Sequence, residues 1–323
     1  MTSVLRNLQA EWNSMVPAAT ARGIRRVRLL NAPLETIAYR KAKVEWLRAQ
    51  LGTTASFESL TFGVEIECHR PRGVTMSAVA HAISQAGVPC QFESYNHTTR
   101  QSQWKVTTDG SLGYNTGCEI VSPVLRGEDG FRQLRKVCDI LTSLRCTVNR
   151  QCGFHVHVGA GSETIEFFKN LIKLYASAET AIDQLVAPSR RASANGFCTS
   201  LASRVRPAQL DAAQTVDAVA LAIGQTPGRS SVRDHTRYCK LNLKSFWQHG
   251  TVEFRQHQGT VESMKAENWV RLCLRMVLTA RAGEKTVSSV EDLLTALDAT
   301  ETEKSYFNGR VVYFQTRQNR RVA

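Results

Sequence analysis

The chain has no Cys-x-x-Cys pair, no apolar run long enough to cross a bilayer, and no glycine-rich phosphate loop of the GxxxxGK[ST] type. Each absence removes a class of protein. Nine cysteines are scattered singly (Cys68, Cys90, Cys118, Cys138, Cys146, Cys152, Cys198, Cys239 and Cys273), which indicates neither a zinc ribbon nor a thioredoxin-type site. Several sit inside apolar runs, where a thiol behaves as a small hydrophobe, so reduced, intracellular cysteines are expected. The longest apolar stretches, such as Val216–Ile223, fall far short of the ~20 residues of a membrane-spanning helix. Met1–Trp12 carries no continuous apolar segment of the signal-peptide kind. A cytoplasmic protein with no membrane association is expected. Internal repeats and low-complexity stretches are also missing.

Negative charge is scarce relative to positive. With 41 Lys and Arg against 28 Asp and Glu, the formal net charge is +13. Part of the excess lies in Arg22, Arg25, Arg26, Arg28, Arg40, Lys41, Lys43 and Arg48, part at Arg190-Arg191 and Arg204–Arg206, and part in Arg317, Arg320 and Arg321. This balance favours anionic partners: nucleotide phosphates, nucleic acid or an acidic protein surface. A basic surface that only aids solubility is the competing explanation.

At 323 residues and 42% hydrophobic content the chain can bury a sizeable core. Residues 1–57 read as a basic, helical N-terminal extension, because Thr36–Leu51 places Ile37, Val44, Leu47 and Leu51 on one stripe before Gly52 breaks it. Residues 58–285 form the expected catalytic domain, and 286–323 a C-terminal helix with a basic tail. Within the middle segment, strands are predicted over Leu60–Cys68, Trp104–Thr108, Gly117–Ser122, Cys146–Val148, Phe154–Gly159, Tyr238–Leu243 and Thr251–His257. Helices are predicted over Thr75–Gly87, Glu128–Leu144, Thr164–Val186, Lys265–Arg281 and Ser289–Leu297. Long helical excursions between strands, with one tight hairpin at His249-Gly250, suggest an α+β fold: a mostly antiparallel sheet with helices packed on one face.

The chemistry lies in what alternates. Phe62-Gly63-Val64-Glu65-Ile66-Glu67 and Cys152-Gly153-Phe154-His155-Val156-His157-Val158-Gly159 each put polar groups on every second residue. A strand turns successive side chains to opposite faces, so Glu65 and Glu67 share one face, as do His155 and His157. Asp109 and Glu119 flank the next strands, and Glu253 lies in Thr251-Val252-Glu253-Phe254-Arg255-Gln256-His257. There, strict alternation predicts that Glu253, Arg255 and His257 face one way and Val252 and Phe254 the other. Five acids and two histidines converging on one sheet would be costly without cations, and a carboxylate-rich set suits Mg²⁺ or Mn²⁺ better than zinc. Arg255 beside such a site makes sense if a phosphate must be gripped there. The partner strand is expected to present Lys240 and Asn242 on one face.

Five blocks in order resemble the amidoligase family: Phe62–Glu67; Trp104–Pro123, with Asp109-Gly110-Ser111 and Gly117–Pro123; Cys152–Gly159; Ser189–Arg191; and Tyr238–Thr260. That family is similar in fold to glutamine synthetase and glutamate–cysteine ligase. The resemblance covers roughly residues 60–280 and includes members of a bacteriophage type. It implies a curved, half-barrel antiparallel sheet that binds ATP with divalent ions. The implied enzyme phosphorylates a carboxylate and lets an amine displace the phosphate to give an amide, with an amino acid, peptide or protein as substrate. By motif position Glu65, Glu67, Glu119, Glu253 and one of His155 and His157, unranked between them, would ligate metal. Arg255 would neutralise the phosphoryl group, and Arg190 or Arg191 would hold phosphates. Lys240, Asn242 and Arg255 would contact nucleotide, and Asp109 would be a further ligand or an amine-side base. The missing P-loop is consistent with ATP held on a sheet.

Two other readings compete. His-x-His also occurs in zinc hydrolases and cupins, but a cupin would place glutamate four residues after the second histidine, where Gly161 stands. A ligase-like fold without catalysis, serving as a binding protein, is the other. Cys152 and His155 are three apart on one strand and so face oppositely, which removes a thiol-protease pairing.

Overall fold

The computed structural model describes residue 57 and residues 59–94, 102–113, 115–229 and 234–322. The expected helix at Thr36–Leu51 lies outside the described residues. Among the described residues eight strands form one sheet: β1 (Thr61–His69), β2 (Cys90–Phe92), β3 (Trp104–Thr107), β4 (Gly117–Val121), β5 (Leu125–Arg126), β6 (Gly153–Gly159), β7 (Leu241–Asn242) and β8 (Thr251–Gln258). Their order is β2-β3-β4-β1-β6-β8-β7, with β5 also pairing β1. Every pairing is antiparallel except β2 with β3. Nine α-helices accompany it among the described residues, making a mixed α/β protein. They are α1 (Met76–Gln85), α2 (Gly127–Ser143), α3 (Ile165–Leu185), α4 (Pro207–Ala212), α5 (Val216–Ala222), α6 (Lys244–His249), α7 (Ser263–Ala282), α8 (Val290–Ala296) and α9 (Glu301–Val322). None of these helices is long and apolar enough to cross a membrane.

Period-two patterning gives each central strand a dry side. Phe62, Val64, Ile66 and Cys68 of β1, Cys118 and Ile120 of β4, and Phe154, Val156 and Val158 of β6 are all buried in one core. The stripes of α2 (Phe131, Leu134, Val137, Leu141), α3 (Phe168, Leu171, Tyr175, Ile182) and α7 (Trp269, Leu272, Cys273, Met276) close it. Contact is direct: Phe131 packs against Phe62 at 5.1 Å and Tyr175 against Phe254 at 6.0 Å between ring centroids. The helices start where the side chains can cap them. Thr75 accepts from Ala78 N at 3.1 Å, Thr164 from Phe167 N at 3.2 Å, and Ser289 from Asp292 N at 3.0 Å.

Several elements depart from the sequence-based expectation. Cys146–Val148 contributes one isolated bridge, Thr147 to His69. The strand expected over Tyr238–Leu243 shrinks to Leu241–Asn242, and Cys239 instead bridges Thr199. No tight hairpin joins β7 to β8: α6 intervenes, closed by Gly250 in the left-handed conformation (φ +66°) that glycine takes without strain. The basic tail is the helix α9. It has little overall apolar content, yet Glu303, Phe307, Arg310 and Phe314 recur at helical spacing and are buried. Arg275 of α7 pairs with Glu303 at 2.9 Å, so this C-terminal segment shares the main core.

The largest departure concerns β8. Its register against β6 shifts between Phe154 and Val156, the mark of a bulge. One extra residue turns His257 inward, so it does not share a face with Glu253 and Arg255. It packs edge-on to Phe154 (5.9 Å) and against Trp269 (4.9 Å), and burial pushes its imidazole down to about 3. Gln256 also points to the helices, accepting from Tyr175 Oη at 2.5 Å and donating to Asp183 at 2.5 Å.

On this same side lies Lys240, fully buried, with Nζ 2.8 Å from Glu179 and 2.6 Å from Asp183 of α3. It therefore does not share a face with Asn242, as alternation had suggested, because the chain at 239–240 is bonded to Thr199 before β7 begins. Glu179 also accepts from the amides of Leu201 and Ala202, both at 2.8 Å, and Asp183 from Ala192 N at 2.7 Å. The lysine and two carboxylates thus hold the 191–202 segment on α3. Lys240→Met should leave buried Glu179 and half-buried Asp183 without their cation and lower unfolding free energy by about 3–5 kcal/mol. Chemical denaturation checks this, and a loss below about 1 kcal/mol would mean that the pair contributes little.

Candidate metal and phosphate site

The opposite face of the sheet carries the acids. Three rows run across it, each set by antiparallel register. In the first, Thr107 faces Glu119 and Glu119 faces Glu67. In the second, Lys105 faces Val121, Val121 faces Glu65 and Glu65 faces His155. In the third, Gly63 faces His157, His157 faces Glu253 and Glu253 faces Asn242. Residues from six strands thus meet because rows, not sequence proximity, bring them together.

The contacts are short. His155 Nδ1 lies 2.9 Å from Glu65 Oε2 and 3.7 Å from Glu253 Oε1, and its Nε2 lies 3.7 Å from Glu67 Oε1. His157 Nε2 is 3.3 Å from Glu65 Oε1 and 3.9 Å from Glu253 Oε1, while its Nδ1 lies 3.0 Å from Thr251 Oγ1. Glu67 Oε2 accepts from Gly153 N at 2.6 Å. A Cβ at Gly153 would stand 2.7 Å from His155 Nε2, so only glycine lets that amide approach. Asn242 Nδ2 donates to Glu253 Oε2 at 2.6 Å, and Arg255 Nη1 is ion-paired with Glu253 Oε1. Asp109, in the loop after β3, accepts from Ser111 N at 2.7 Å.

Among the described residues two sets of donor atoms converge, the atoms of each set lying within 4.8 Å of one another: Glu65, His155 and Glu253; and Glu67, Asp109 and Glu119. His157 stands beside the first set. The arginines separate. Arg190, only 2% exposed, donates to Gln151 O at 2.9 Å and to Cys152 O at the start of β6. Arg191 turns away, donating to Val186 O at 3.1 Å and lying over the Phe314 ring of α9. Arg255 also donates to Phe197 O at 3.5 Å and stands 6.0 Å from the Tyr238 ring centroid, next to exposed Phe197.

Electrostatics divide the two sets. Burial pushes Glu65 up, but hydrogen bonds from His155 and His157 hold it well below the usual carboxylate range. Burial likewise raises Glu253, while Arg255 and His157 pull it below its ordinary value. Desolvation opposes charging of His157, yet Glu253 and Glu65 raise it overall. In the other set, burial and the charges of Glu65, Asp109 and Glu67 push Glu119 well above its ordinary value, only partly offset by Lys105. Imidazoles and Arg255 compensate the first set. The second holds more negative charge than its protein surroundings balance.

Whether a divalent cation fits is tested by the donors. Oxygen-dominated ligands with an imidazole suit Mg²⁺ or Mn²⁺. Among the described residues, Thr107 Oγ1, buried and facing Glu119 across the first row, has no hydrogen-bond partner, and neither has Arg190 Nε. Both are polar atoms left for a ligand to satisfy. The residues fit. Lys105 and Thr107 escaped the sequence reading, although Trp104-Lys105-Val106-Thr107 alternates and puts them on the polar face of β3.

Residues 58–277 match the family described as "Putative amidoligase enzyme". The chain belongs to the amidoligase family, and that membership supports a ligase-type function with carboxylate and amine substrates. A solved structure titled "Crystal structure of novel glutamine synthase homolog" aligns over 82% of this chain and 68% of its own, at 12% identity and a TM-score of 0.37. The comparison with curated proteins found no match.

The compressed charge has a measurable cost. Glu119 binds its proton more tightly when folded than unfolded, so stability of the metal-free protein should fall as pH rises from the ordinary carboxylate range through the raised value of Glu119. Glu119→Gln removes that dependence. At pH 7 without metal it should raise the thermal midpoint by about 2–4 °C, the shift that about 1 kcal/mol gives a domain of this size. Adding Mg²⁺ or Mn²⁺ should stabilise the wild type far more than the variant. Calorimetry at several pH values reads both, and a destabilised variant in metal-free buffer would show that Glu119 is not held against repulsion.

Proposed function

We propose that this chain is an ATP-dependent carboxylate–amine ligase that forms an amide through an acyl phosphate. The observation that carries the reading is the convergence of two acidic donor sets on one sheet face, with Arg255 bonded into the first. Glu65, His155 and Glu253 would hold one Mg²⁺ or Mn²⁺, with His157 beside them, and Glu67, Asp109 and Glu119 a second. These ions would screen the triphosphate from the acids and from the incoming carboxylate. A half-barrel curvature of the sheet around the acids belongs to the same reading.

A carboxylate is a poor electrophile at neutral pH. Its oxygen would attack the terminal phosphorus of ATP, releasing ADP, and an amine nitrogen would then displace phosphate from the acyl carbon. The chain's own part is to bind and orient. Arg255, fixed by Glu253 and the Phe197 carbonyl, would grip the transferring phosphoryl group with its planar fork. Arg190, pinned by two carbonyls beside Gly153, would hold phosphates with its remaining donors. Asn242, which donates to Glu253, would contact nucleotide at the far edge of the site. Lys240 and Arg191 have no part in this, since Lys240 is ion-paired with α3 and Arg191 turns to Val186 and Phe314. A zinc hydrolase would draw on the paired histidines, but carboxylates dominate both donor sets, which favours hard cations over zinc.

The test supplies ATP, a divalent ion, and a panel of carboxylates and amines, with hydroxylamine to trap acyl phosphate. Hydroxamate and ADP should form together and only with metal. Cleavage of a substrate without nucleotide, dependent on zinc, would overturn the ligase. Arg255→Lys keeps the charge beside Glu253 but loses the fork. Turnover should fall at least tenfold, about 1.4 kcal/mol of transition-state stabilisation, with the thermal midpoint nearly unchanged. A fully active Arg255→Lys enzyme would make this arginine structural.

A further inference from the structure

Behind the acidic face, three thiols meet. Cys68 of β1 and Cys118 of β4 are direct cross-strand partners, with Sγ atoms 3.7 Å apart on the core side. Cys146, just beyond α2, lies beside them, because Thr147, which follows it, is bridged to His69, which follows Cys68. All three are free thiols. Cys68 and Cys118 are wholly enclosed, whereas Cys146 is 5% exposed and leads toward the surface. Of the three, Cys146 alone has surface that an oxidant can reach, and Cys68 with the nearby Arg70 guanidinium holds its thiol below its ordinary range.

We propose that these cysteines are a reversible oxidation site, in which Cys146 takes the oxidant and Cys68 and Cys118 end as a disulfide. With a hydroperoxide as oxidant, the Cys146 thiolate attacks the peroxide oxygen, becoming a sulfenic acid and leaving water or an alcohol. The Cys68 thiol displaces hydroxide from that sulfur, water departs, and a Cys68–Cys146 disulfide forms. Cys118, already in contact with Cys68, then attacks the Cys68 sulfur and releases Cys146 as the thiolate, its own proton passing to the leaving sulfur. The balance is two thiols losing two protons and two electrons, with the peroxide reduced to water, or to water and alcohol. A small dithiol reverses it.

The oxidised state reaches the acidic face because Cys68 follows Glu67 and Cys118 precedes Glu119, and Glu67 and Glu119 are themselves register partners. Directly paired strand residues hold their Cβ atoms about 4.5–5.5 Å apart. A disulfide asks for about 3.8 Å. Closing the bond therefore draws β1 and β4 together beside the Glu67–Glu119 row and alters the spacing of the second donor set. This consequence rests on the metal-holding reading above.

The experiment treats the full chain with stoichiometric hydrogen peroxide, blocks remaining thiols under denaturing conditions, and maps peptides by mass. The intact protein should lose 2 Da, Cys68 and Cys118 should be linked, and dithiothreitol should reverse both. Cys146→Ser should slow linkage at least tenfold, and Cys118→Ser should stop at a Cys68–Cys146 bond, each checked for an unchanged thermal midpoint. The wild-type map decides the matter even where a variant does not fold. A disulfide elsewhere, or sulfinic acid on Cys146 with no disulfide, would overturn the proposal, and an unchanged rate in a folded Cys146→Ser protein would remove its entry thiol. Mn²⁺ titration followed by electron paramagnetic resonance reads the coupling: affinity should fall at least fivefold in the oxidised form. Equal affinity in both forms overturns the coupling. Failure of the reduced protein to take up Mn²⁺ would instead count against the metal reading, while the peptide map still judges the thiol chemistry.

Discussion

The structure turns on the repulsion among carboxylates gathered on one face of a sheet. Glu65, Glu67, Glu119 and Glu253 come from three antiparallel strands, and register sets Glu67 against Glu119, Glu65 against His155 and Glu253 against His157. Such a face can be buried only if positive charge answers it. Arg255, His155 and His157 answer the Glu65–Glu253 half, so those carboxylates stay below their ordinary values. Around Glu119 the answer is incomplete, and its proton affinity rises instead. Within one sheet, then, the protein holds a balanced half and an unbalanced half a few ångströms apart. The unbalanced half is where a further cation would gain most.

The other face solves an inverse problem. Lys240 is buried among apolar side chains and is tolerated because Glu179 and Asp183 meet it directly. Those acids carry backbone amides of 192, 201 and 202 as well, and the segment they fix contains Phe197, whose carbonyl receives Arg255. The underside of the sheet thereby sets the position of a side chain on its upper face. Precision in the placement of Arg255 depends on ion pairs that never touch the acids.

Much of the central architecture was legible because period two is a strong constraint. Alternation in Val64-Glu65-Ile66-Glu67 and Phe154-His155-Val156-His157 separates dry from polar faces whatever the strands pair with, and the pairing of β1 with β6 follows it. The same rule misled where the backbone stops being regular. At His257 a bulge against β6 reverses the face, and nothing in Arg255-Gln256-His257 announces the extra residue. At Lys240, alternation was read through residues that are bonded to Thr199 and are not strand. That the basic tail forms the helix α9 was hidden for another reason: its buried stripe includes Glu303 and Arg310, whose burial is possible only through distant partners such as Arg275 and the Leu185 carbonyl.

By itself the sequence determined which residues could lie side by side within a strand, which helices had an apolar stripe, and that acids, imidazoles and an arginine were present in a pattern resembling one family. Those are properties of spacing along one chain. Register, and with it the identity of the neighbours, was decided by the tertiary structure. Only the packed sheet sets Glu67 against Glu119 and His157 against Glu253, divides six polar groups into two donor sets, sends Arg190 toward the acids and turns Arg191 to Phe314. The reason is physical: a strand's side-chain direction is local, but what it meets depends on long-range pairing and on where burial forces each charge to find its partner.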